Sequence, residues 1–170
     1  EQCWMAENLN TGSMIISDNE GQQQTDNQVI EKYCPNNDPT NCETYGGLYE
    51  WHEAMQYVTT EGSQGICPIG WHLPTHDESV ELTDYLGGVD VAGGKMKATG
   101  TIEEGTGLWY APNTDATNLS GFTSLPSGYR DHYDGSFVDM GYYCDNWTST
   151  KYDDETAWYW CLYYNWGGVD

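Results

Sequence analysis

Residues 65–88 constrain the fold more than any other stretch, because they carry the strongest helix signals in the chain. Thr75 suits the N-cap position, and Glu78, three residues later, completes a capping box that satisfies free amides at a helix start. Three apolar residues follow at helical spacing: Leu82, Tyr85 and Leu86. The Gly87-Gly88 pair can adopt the positive φ that ends many helices. The sequence therefore predicts a helix that begins after Thr75, buries one apolar face and stops at the glycines.

The rest of the chain predicts one more helix, short strands and long loops. Four apolar residues at helical spacing predict a helix within 47–58: Leu48, Trp51, Met55 and Val58. Apolar and aromatic runs predict strands at 3–9, 14–16, 137–140, 142–148 and 157–164. Loops are expected where polar, turn-forming or glycine-rich residues accumulate, at 18–28, 34–42 and 89–135. Together these elements predict a single α+β domain over 1–170, with two helices, small antiparallel sheets and long irregular loops.

The charge of the chain argues against several classes of partner. Its 27 Asp and Glu outnumber its 5 Lys and Arg, which gives a formal net charge of −22. Nucleic acids and anionic membrane surfaces attract clustered Lys and Arg, so neither is an expected partner. No apolar run approaches the roughly 20 residues of a membrane-spanning helix. The six cysteines indicate an oxidising compartment, and we therefore expect a secreted or cell-surface protein.

The six cysteines are expected to staple the domain with three disulfides. The predicted bonds are Cys3–Cys67, Cys34–Cys42 and Cys144–Cys161. The second encloses a run of turn-forming residues and would hold that loop closed. The third spans a predicted hairpin in which Thr148 lies opposite Ala157, and the same register places its two cysteines opposite each other. The first follows by elimination. Zinc binding is the alternative use of these thiols, although no Cys-x-x-Cys pair is present and the histidines are scattered.

Seven short motifs occur in a fixed order along the chain. The longest is Cys67-Pro68-Ile69-Gly70-Trp71-His72-Leu73-Pro74-Thr75, which Glu78 follows. The others lie at 4–10, 37–42, 45–51, 116–122, 125–130 and 134–137. In this order they resemble the Fibrobacter succinogenes major paralogous domain family, and together they cover nearly the whole chain. The resemblance implies a C-type-lectin-like fold, which formylglycine-generating enzymes and display modules of phages and bacteria also use.

The resemblance also implies a feature beyond the strand predicted at 157–164. Members of the family continue with a further strand, which carries a Cys and lies beside the N-terminal strand. The Cys of that strand would be the natural partner of Cys67, whereas this sequence has an additional Cys3 on the adjoining strand. The present sequence ends at Asp170, so one expectation is that a neighbouring subunit supplies the last strand, and the other is a truncated sequence. Head-to-tail insertion that does not close would produce a filament.

Calcium-dependent sugar binding is not expected from the residues. Lectins of this fold resemble one another in a Glu-Pro-Asn or Gln-Pro-Asp loop and a Trp-Asn-Asp strand motif. The nearest segments here are Ala111-Pro112-Asn113, which lacks the acid, and Asp145-Asn146-Trp147, which has the reverse order. The remaining candidate ligands for a cation such as calcium are Asp131, Asp134 and Asp139. A solvated acidic hairpin explains these three residues more simply.

No catalytic constellation is recognisable, so we expect no enzyme, no catalytic residue and no cofactor. Four histidines lack both metal-ligand spacing and a neighbouring nucleophile: His52, His72, His76 and His132. A carboxylate pair for glycoside hydrolysis could be drawn anywhere among 27 acids, which makes that signal uninformative. Cys161 lies in an ordinary strand with a ready partner, unlike the reactive cysteine of formylglycine-generating enzymes.

The expected function is structural or adhesive. The first hypothesis is a subunit that self-associates into an extracellular fibre or filament through strand complementation. The alternative is a monomeric module that binds a glycan or a protein through exposed rings: Trp109, Tyr110, Tyr129 and Tyr133. An enzyme remains the remote third hypothesis. Asn118 and Asn146 match the N-glycosylation acceptor pattern.

Overall fold

Helices occupy the middle of the chain and most strands its C-terminal part in the computed structural model, which describes residues 2–18 and 23–170. The elements in chain order are β1 (Ser13–Met14), β2 (Glu31–Lys32), a 3-10 turn (Pro35–Asn37), α1 (Pro39–Tyr45), α2 (Trp51–Ala54), α3 (His76–Tyr85), α4 (Val89–Met96), β3 (Tyr129–Arg130), β4 (Phe137–Val138), β5 (Tyr143–Lys151) and β6 (Ala157–Tyr163). β1 and β2 pair in parallel, whereas β3–β4 and β5–β6 are antiparallel. The α+β class is therefore confirmed, with four helices in the described ranges where the sequence predicts two.

α3 forms where the capping box predicts it. The Glu78 N–H donates to Thr75 Oγ1 at 3.1 Å, and the Thr75 N–H donates to the Glu78 carboxylate at 2.8 Å. Leu82 and Leu86 are buried, as their spacing predicts. Tyr85 is 86% exposed, so the prediction that it belongs to the buried face is wrong. The apolar stripe of this short helix is only the i, i+4 pair of leucines.

α4 lies within the region predicted to be loop. Its sequence contains Gly93 and Gly94. Because glycine is a poor helix former, helix propensity does not predict a helix here. Both glycines allow close approach of other backbone, because a Cβ at Gly93 would collide with the Gly168 carbonyl and one at Gly94 with the Asp115 carbonyl. The Gly94 N–H also donates to the Gly167 carbonyl at 2.7 Å. The same glycines that weaken the helix signal therefore bring two distant segments against the helix.

The helix predicted within 47–58 is reduced to the four residues of α2. Gln56 and Tyr57 adopt φ values of 50° and 58°, which leave the helical region and end the helix. Trp51 is buried, as the spacing predicts, but Val58 is 46% exposed. Leu48 forms an isolated antiparallel β-bridge with Tyr33 instead of joining the helix. The apolar spacing correctly identifies the buried ring but overestimates the length of the helix.

The N-terminal predictions are confirmed only in part. Residues 3–9 form no strand, and β1 covers two residues instead of the three predicted at 14–16. Of the loop predicted at 18–28, residues 19–22 lie outside the described part of the chain. The remainder is irregular, and Gln24 within it is buried because its amide donates to two carbonyls of the surrounding chain.

The Cys34–Cys42 disulfide is present, as predicted, with a Cα–Cα distance of 4.9 Å. The segment that it closes is more ordered than a run of turns. Asp38 caps α1 by accepting the Thr40 N–H at 2.9 Å, and Pro39 occupies the first helical position, where its missing N–H costs nothing. The bond therefore ties the start of a helix to the preceding 3-10 turn.

The β5–β6 hairpin forms as predicted, but its register differs by one residue. Cys144 lies opposite Leu162, and Cys161 lies opposite Asp145. Because successive side chains on a strand point to opposite faces, this shift places the two cysteines on different sides of the sheet. The predicted Cys144–Cys161 bond is therefore wrong. A β-bulge lies nearer the turn, where three residues of β5 between Trp147 and Lys151 oppose the single residue Trp158 of β6.

Four cysteines carry free thiols, so the predicted Cys3–Cys67 bond is also wrong in this structure. This bond is predicted only because the other four cysteines are assigned to two pairs. One of those pairs, Cys144–Cys161, does not form, so the reason for the prediction is lost. Cys3 is exposed, whereas Cys67, Cys144 and Cys161 are each less than a tenth exposed. The different accessibilities give a direct test of the pairing.

Titration with a thiol reagent is expected to label Cys3 rapidly and the other three free cysteines only after unfolding, because burial blocks reagent access. Peptide mapping of the labelled protein under non-reducing conditions identifies each site. A recovered Cys3–Cys67 or Cys144–Cys161 peptide, or three fast-reacting thiols, would contradict this assignment.

The main hydrophobic core lies between α3, α4 and the inner face of the hairpin. Its fully buried members include Ala92, Met96, Trp109, Cys144 and Leu162. A second cluster lies under the N-terminal half, with Trp51, Ala54, Met55, Ile66, Cys67 and Leu73. Within the described ranges, no helix combines the length and the apolar character needed to cross a membrane.

Lys97, at the end of α4, is completely buried against the main core. Its ammonium donates to the carbonyls of Tyr163 and Trp166, both at 2.8 Å, and lies 5.5 Å from the centre of the Trp109 ring. Burial lowers the pKa of this ammonium to about 8. The contacts fasten the segment after β6 to the end of α4.

A groove bordered by unpaired backbone

An open groove of about 1490 Å³ separates the N-terminal residues from the hairpin. Five segments line it: residues 2–9, 47–54, 66–74 and 127–132, and the hairpin residues between 143 and 163. The second hydrophobic cluster contributes Trp51, Ile66, Cys67 and Leu73 to its lining, with Leu9 packed beside them. The groove therefore combines an apolar floor with access to solvent.

One side of the groove is formed by residues 3–7, whose backbone makes no hydrogen bond to any residue that the structure describes. The segment is held at its ends instead. The Gln2 side chain donates to the Glu78 carbonyl at 3.2 Å, and the Leu9 carbonyl accepts the Gly47 N–H at 2.8 Å. In the middle, Trp4 packs on Phe122, with ring centres 6.0 Å apart. Five consecutive residues thus present free amides and carbonyls.

The other side includes the outer edge of β6. Cys161 and Asp170 exchange two backbone hydrogen bonds, of 2.9 and 3.1 Å, so the N–H and C=O of Cys161 point away from β5. Backbone direction alternates along a strand, and the groups of Tyr159 therefore point the same way. No residue of the described chain pairs with the Tyr159 N–H or C=O on that side. Ala157, two residues earlier, also lines the groove and has the same orientation by this alternation.

Two aromatic pairs stand on the outer face of the hairpin, where it faces the groove. Tyr143 and Tyr163 lie across from each other with ring centres 4.8 Å apart, and Trp147 and Tyr159 form the second pair at 5.7 Å. Asp145 lies between the pairs, opposite Cys161. Trp147 Nε1 donates to the Tyr49 carbonyl at 2.8 Å, which fixes the orientation of that ring.

The surrounding side chains change the acid–base properties of the groove. Burial raises the pKa of Glu50, although the Tyr33 hydroxyl donates to it at 3.1 Å and Arg130 lies 3.5 Å away. Arg130 in turn stacks over Tyr33 at 4.3 Å from the ring centre. Asp145 is exposed to solvent, and none of the ion pairs of the described residues includes its carboxylate. Its packed neighbours still raise the pKa of Asp145 by partial desolvation.

The ligand-binding rings predicted from the sequence are scattered in the structure. Trp109 is completely buried in the main core, so it cannot contact a ligand, and that prediction is wrong. Tyr110 stacks on Tyr142 at 4.3 Å, away from the groove. Tyr133 is 84% exposed beside His132, and only Tyr129 lines the groove.

The predicted acidic and glycan-acceptor residues serve local structure. Asp131 accepts the Tyr133 N–H at 2.7 Å, and Asp134 accepts the Ser136 N–H at 2.9 Å. The described residues contain no group of three or more His, Cys, Asp or Glu arranged to hold a metal ion, so the candidate cation site at Asp131, Asp134 and Asp139 does not assemble. Asn118 is half-buried, and its side chain pairs with Thr123. Asn146 is half-buried on β5 with its amide 3.3 Å from Cys144 Sγ.

The histidines are also held by neighbours. His72 Nε2 lies 3.0 Å from the Glu78 carboxylate, and that contact together with the capping hydrogen bonds lowers the pKa of Glu78. His76 stacks on Trp158 with ring centres 4.5 Å apart, and His52 packs against Trp51. None of these contacts places a histidine beside a nucleophile.

Sequence reasoning missed Asp145, Tyr159 and the open backbone of 3–7. In the sequence, Asp145 stands out only in the segment Asp145-Asn146-Trp147, which has the reverse order of the Trp-Asn-Asp motif of lectins. Aromatic residues at both ends of 143–147 and 159–163 are the signal that could have identified one exposed aromatic face, but it is useful only with the correct register.

Alkaline pH is expected to destabilise the fold, because burial raises the pKa of the Cys67 and Cys144 thiols to about 11 and that of the Cys161 thiol further. A group with a raised folded-state pKa stays protonated in the folded chain while the unfolded chain ionises. Its contribution is intact below the unfolded value, 9.0 for a thiol, and is lost as pH rises toward 11. Lys97 acts in the opposite direction between about 8 and 10.5. Burial also raises the pKa of tyrosines such as Tyr33 and Tyr49, which add to the loss from the thiols above pH 10.

The measurement is the melting temperature by circular dichroism from pH 7 to pH 11. We expect little change up to about pH 9 and a progressive fall above it. A Cys144→Ala variant should show a shallower fall, since it lacks one of the responsible thiols. A melting temperature that stays constant or rises up to pH 11 would contradict this account.

Comparison with known proteins places the chain in a family but gives no close neighbour. No curated protein matches the chain. No solved structure matches it either. The model of the Fibrobacter succinogenes major domain matches residues 1–167, nearly the whole chain. The motifs around Cys67 and along the sequence thus point to the same family as the full-length comparison, and the chain belongs to the Fibrobacter succinogenes major domain family.

Proposed function

We propose that this chain is a non-enzymatic subunit of an extracellular assembly and that its groove accepts an extended strand from a neighbouring subunit. The observation that carries the proposal is the presence of two open backbone edges on one groove, residues 3–7 and the outer side of β6 at Tyr159. Exposed edges of unpaired backbone are templates for a further strand, and an inserted strand would pair with both sides at once.

The exposed aromatic surface of the groove supports the same interpretation. A strand in the groove would cover the partly exposed rings of Trp71, Trp147 and Tyr159 with alternate side chains, in addition to its backbone hydrogen bonds. Strand addition of this kind obtains affinity from the main chain and specificity from the pockets. The C-type-lectin-like arrangement remains part of the proposal, supported by the closing hairpin and by the long irregular segment between α4 and β3.

An extracellular location fits the observed Cys34–Cys42 disulfide, since such bonds persist in oxidising compartments. It also fits the net charge of −22, which keeps a secreted chain soluble. The same charge opposes contact between identical copies, so self-association should increase when salt screens it.

Light scattering and negative-stain microscopy on the purified 170-residue chain test the proposal, at about 0.1 M and about 1 M salt. Association into dimers or longer species that increases with salt and protein concentration would support insertion between copies. A well-folded monomer under all these conditions would rule out obligate complementation by identical copies.

A second candidate function is binding of a glycan, favoured by three partly exposed rings on the groove: Trp71, Trp147 and Tyr159. We expect any sugar binding to be weak and independent of calcium, because the described chain assembles no cation site and stacking on the rings would have to supply the affinity. A glycan array with and without a chelator measures this. A signal that the chelator abolishes would contradict the prediction.

A further inference from the structure

Asp145 and the aromatic pairs beside it have the composition of a site for an organic cation. The carboxylate lies between Tyr143 and Trp147 along β5, and their cross-strand partners Tyr163 and Tyr159 flank it on β6. Aromatic faces attract ammonium and guanidinium groups, and a carboxylate adds charge and hydrogen bonds. We propose that this cluster binds the side chain of an Arg or Lys on the strand that enters the groove.

Neither of the two Lys and Arg side chains that line the groove is available to pair with the Asp145 carboxylate. Of the two cations lining the groove, Lys151 lies 3.8 Å from Asp154 and Arg130 is engaged with Glu50 and Tyr33. The Asp145 carboxylate is open to solvent, and no ion pair of the described residues includes it. An occupant that covered Asp145 without supplying a positive charge would bury an uncompensated carboxylate, which is strongly unfavourable.

The position of the cluster suits a long side chain. A strand paired with the outer edge of β6 would lie about 10 Å, two strand spacings, from β5, where Asp145 is located. Asp170 already pairs with the outer side of Cys161, so the inserted strand would pair at Tyr159 and Ala157. An Arg or Lys opposite Tyr159 would extend diagonally over the small Cys161 side chain toward Asp145. Alternate residues of the inserted strand have their side chains on the same face of the sheet as Asp145. A single Arg or Lys at one of these positions is therefore enough to reach the carboxylate.

This requirement restricts the donor. The chain has only 5 Lys and Arg, and Lys97 is buried while Arg130 and Lys151 are paired. A second copy therefore has little to offer the site, and its charge of −22 adds repulsion. The inference rests on the proposed strand insertion and refines it: the favoured occupant is an extended segment with alternating apolar residues and a central Arg or Lys, from a chain less acidic than this one.

The test uses three synthetic strand-forming heptapeptides that alternate valine and threonine around a central Arg, a central citrulline or a central Glu. Citrulline has nearly the shape of Arg without the charge. Binding is followed through tryptophan fluorescence and by calorimetry. We expect the Arg peptide to bind the wild-type chain about tenfold more tightly than the citrulline peptide, and the Glu peptide to bind weakest.

The variant Asp145→Asn should remove most of the preference for Arg over citrulline. Asp84→Asn is the matched control, since it removes the same charge from an exposed residue of α3 outside the groove and should keep the preference. N-acetyl-arginine amide alone tests whether a free organic cation is sufficient, and we expect it to bind at least a hundredfold more weakly than the Arg peptide.

The outcomes separate the two proposals. Equal binding of the Arg and citrulline peptides would overturn the cation site and leave strand insertion intact. Binding of the free arginine amide together with failure of all three peptides would overturn strand insertion and leave the cation site. A preference for Arg that persists in Asp145→Asn would show that the cation binds elsewhere.

Discussion

Replacing Trp109 with alanine is expected to lower the free energy of unfolding by about 3–5 kcal/mol. The ring is completely buried in the main core, and its indole N–H donates to the Ser124 carbonyl at 3.0 Å. Its removal would leave a large cavity, a Ser124 carbonyl with only the Ala98 N–H as donor, and the Lys97 ammonium without its aromatic neighbour. Urea unfolding followed by circular dichroism measures the change.

Tyr133→Ala provides the matched control, because the sequence predicts the same ligand-binding role for both rings. Tyr133 is 84% exposed, and its loss should change the free energy of unfolding by no more than about 0.5 kcal/mol. Equal stability of the two variants, or loss of ligand binding without loss of stability in Trp109→Ala, would show that the burial of Trp109 is misjudged.

Tyr159→Pro is expected to weaken strand uptake at least tenfold, measured with the Arg heptapeptide or as loss of assembly. The N–H of Tyr159 points toward the groove rather than to β5, so proline removes a donor to the inserted strand without breaking the hairpin ladder. Tyr159→Ala is the control, since it loses the same ring but keeps the amide. We expect the alanine variant to bind the peptide severalfold better than the proline variant.

Circular dichroism must show the same fold for both variants. If the proline and alanine variants bind equally, the outer edge of β6 is not the acceptor edge. If both bind like the wild type, neither the backbone nor the ring of Tyr159 contributes to the groove.

Local chemistry made part of the fold predictable. The capping box at Thr75 and Glu78 specifies α3 because both partners lie within one turn of chain. The Cys34–Cys42 bond is predictable for the same reason, since eight residues of separation and turn-forming residues leave few other arrangements. The hairpin is predictable as an element from its two aromatic runs.

Features that depend on distant contacts were not predictable. α4 contains two glycines whose role is to admit the backbone of residues 115 and 167–168, which no local pattern reveals. Residues 3–9 carry the apolar run of a strand, yet a strand exists only where a partner is paired with it. The hairpin pairs Cys144 with Leu162 and Cys161 with Asp145, one residue away from the predicted register, and no local pattern determines that difference.

The same one-residue error in the predicted hairpin register prevented prediction of the candidate site. With the sequence-based register, Cys144 and Cys161 share a face and Asp145 has no particular neighbour. With the observed register, Asp145 and Cys161 face each other between two aromatic pairs. Composition alone could indicate many exposed rings, but only the pairing shows which of them surround a carboxylate.

Hydrogen exchange at the backbone amides of residues 3–7 and Tyr159 tests strand insertion most directly. In the isolated chain these amides should exchange at rates close to those of an unstructured peptide, because no described residue accepts their hydrogen bonds. With the Arg heptapeptide bound, or in an assembly, we expect protection of alternate amides in 3–7 and of Tyr159 by at least about a hundredfold. Protection already present in the isolated chain, or amides that remain unprotected in the complex, would contradict the account.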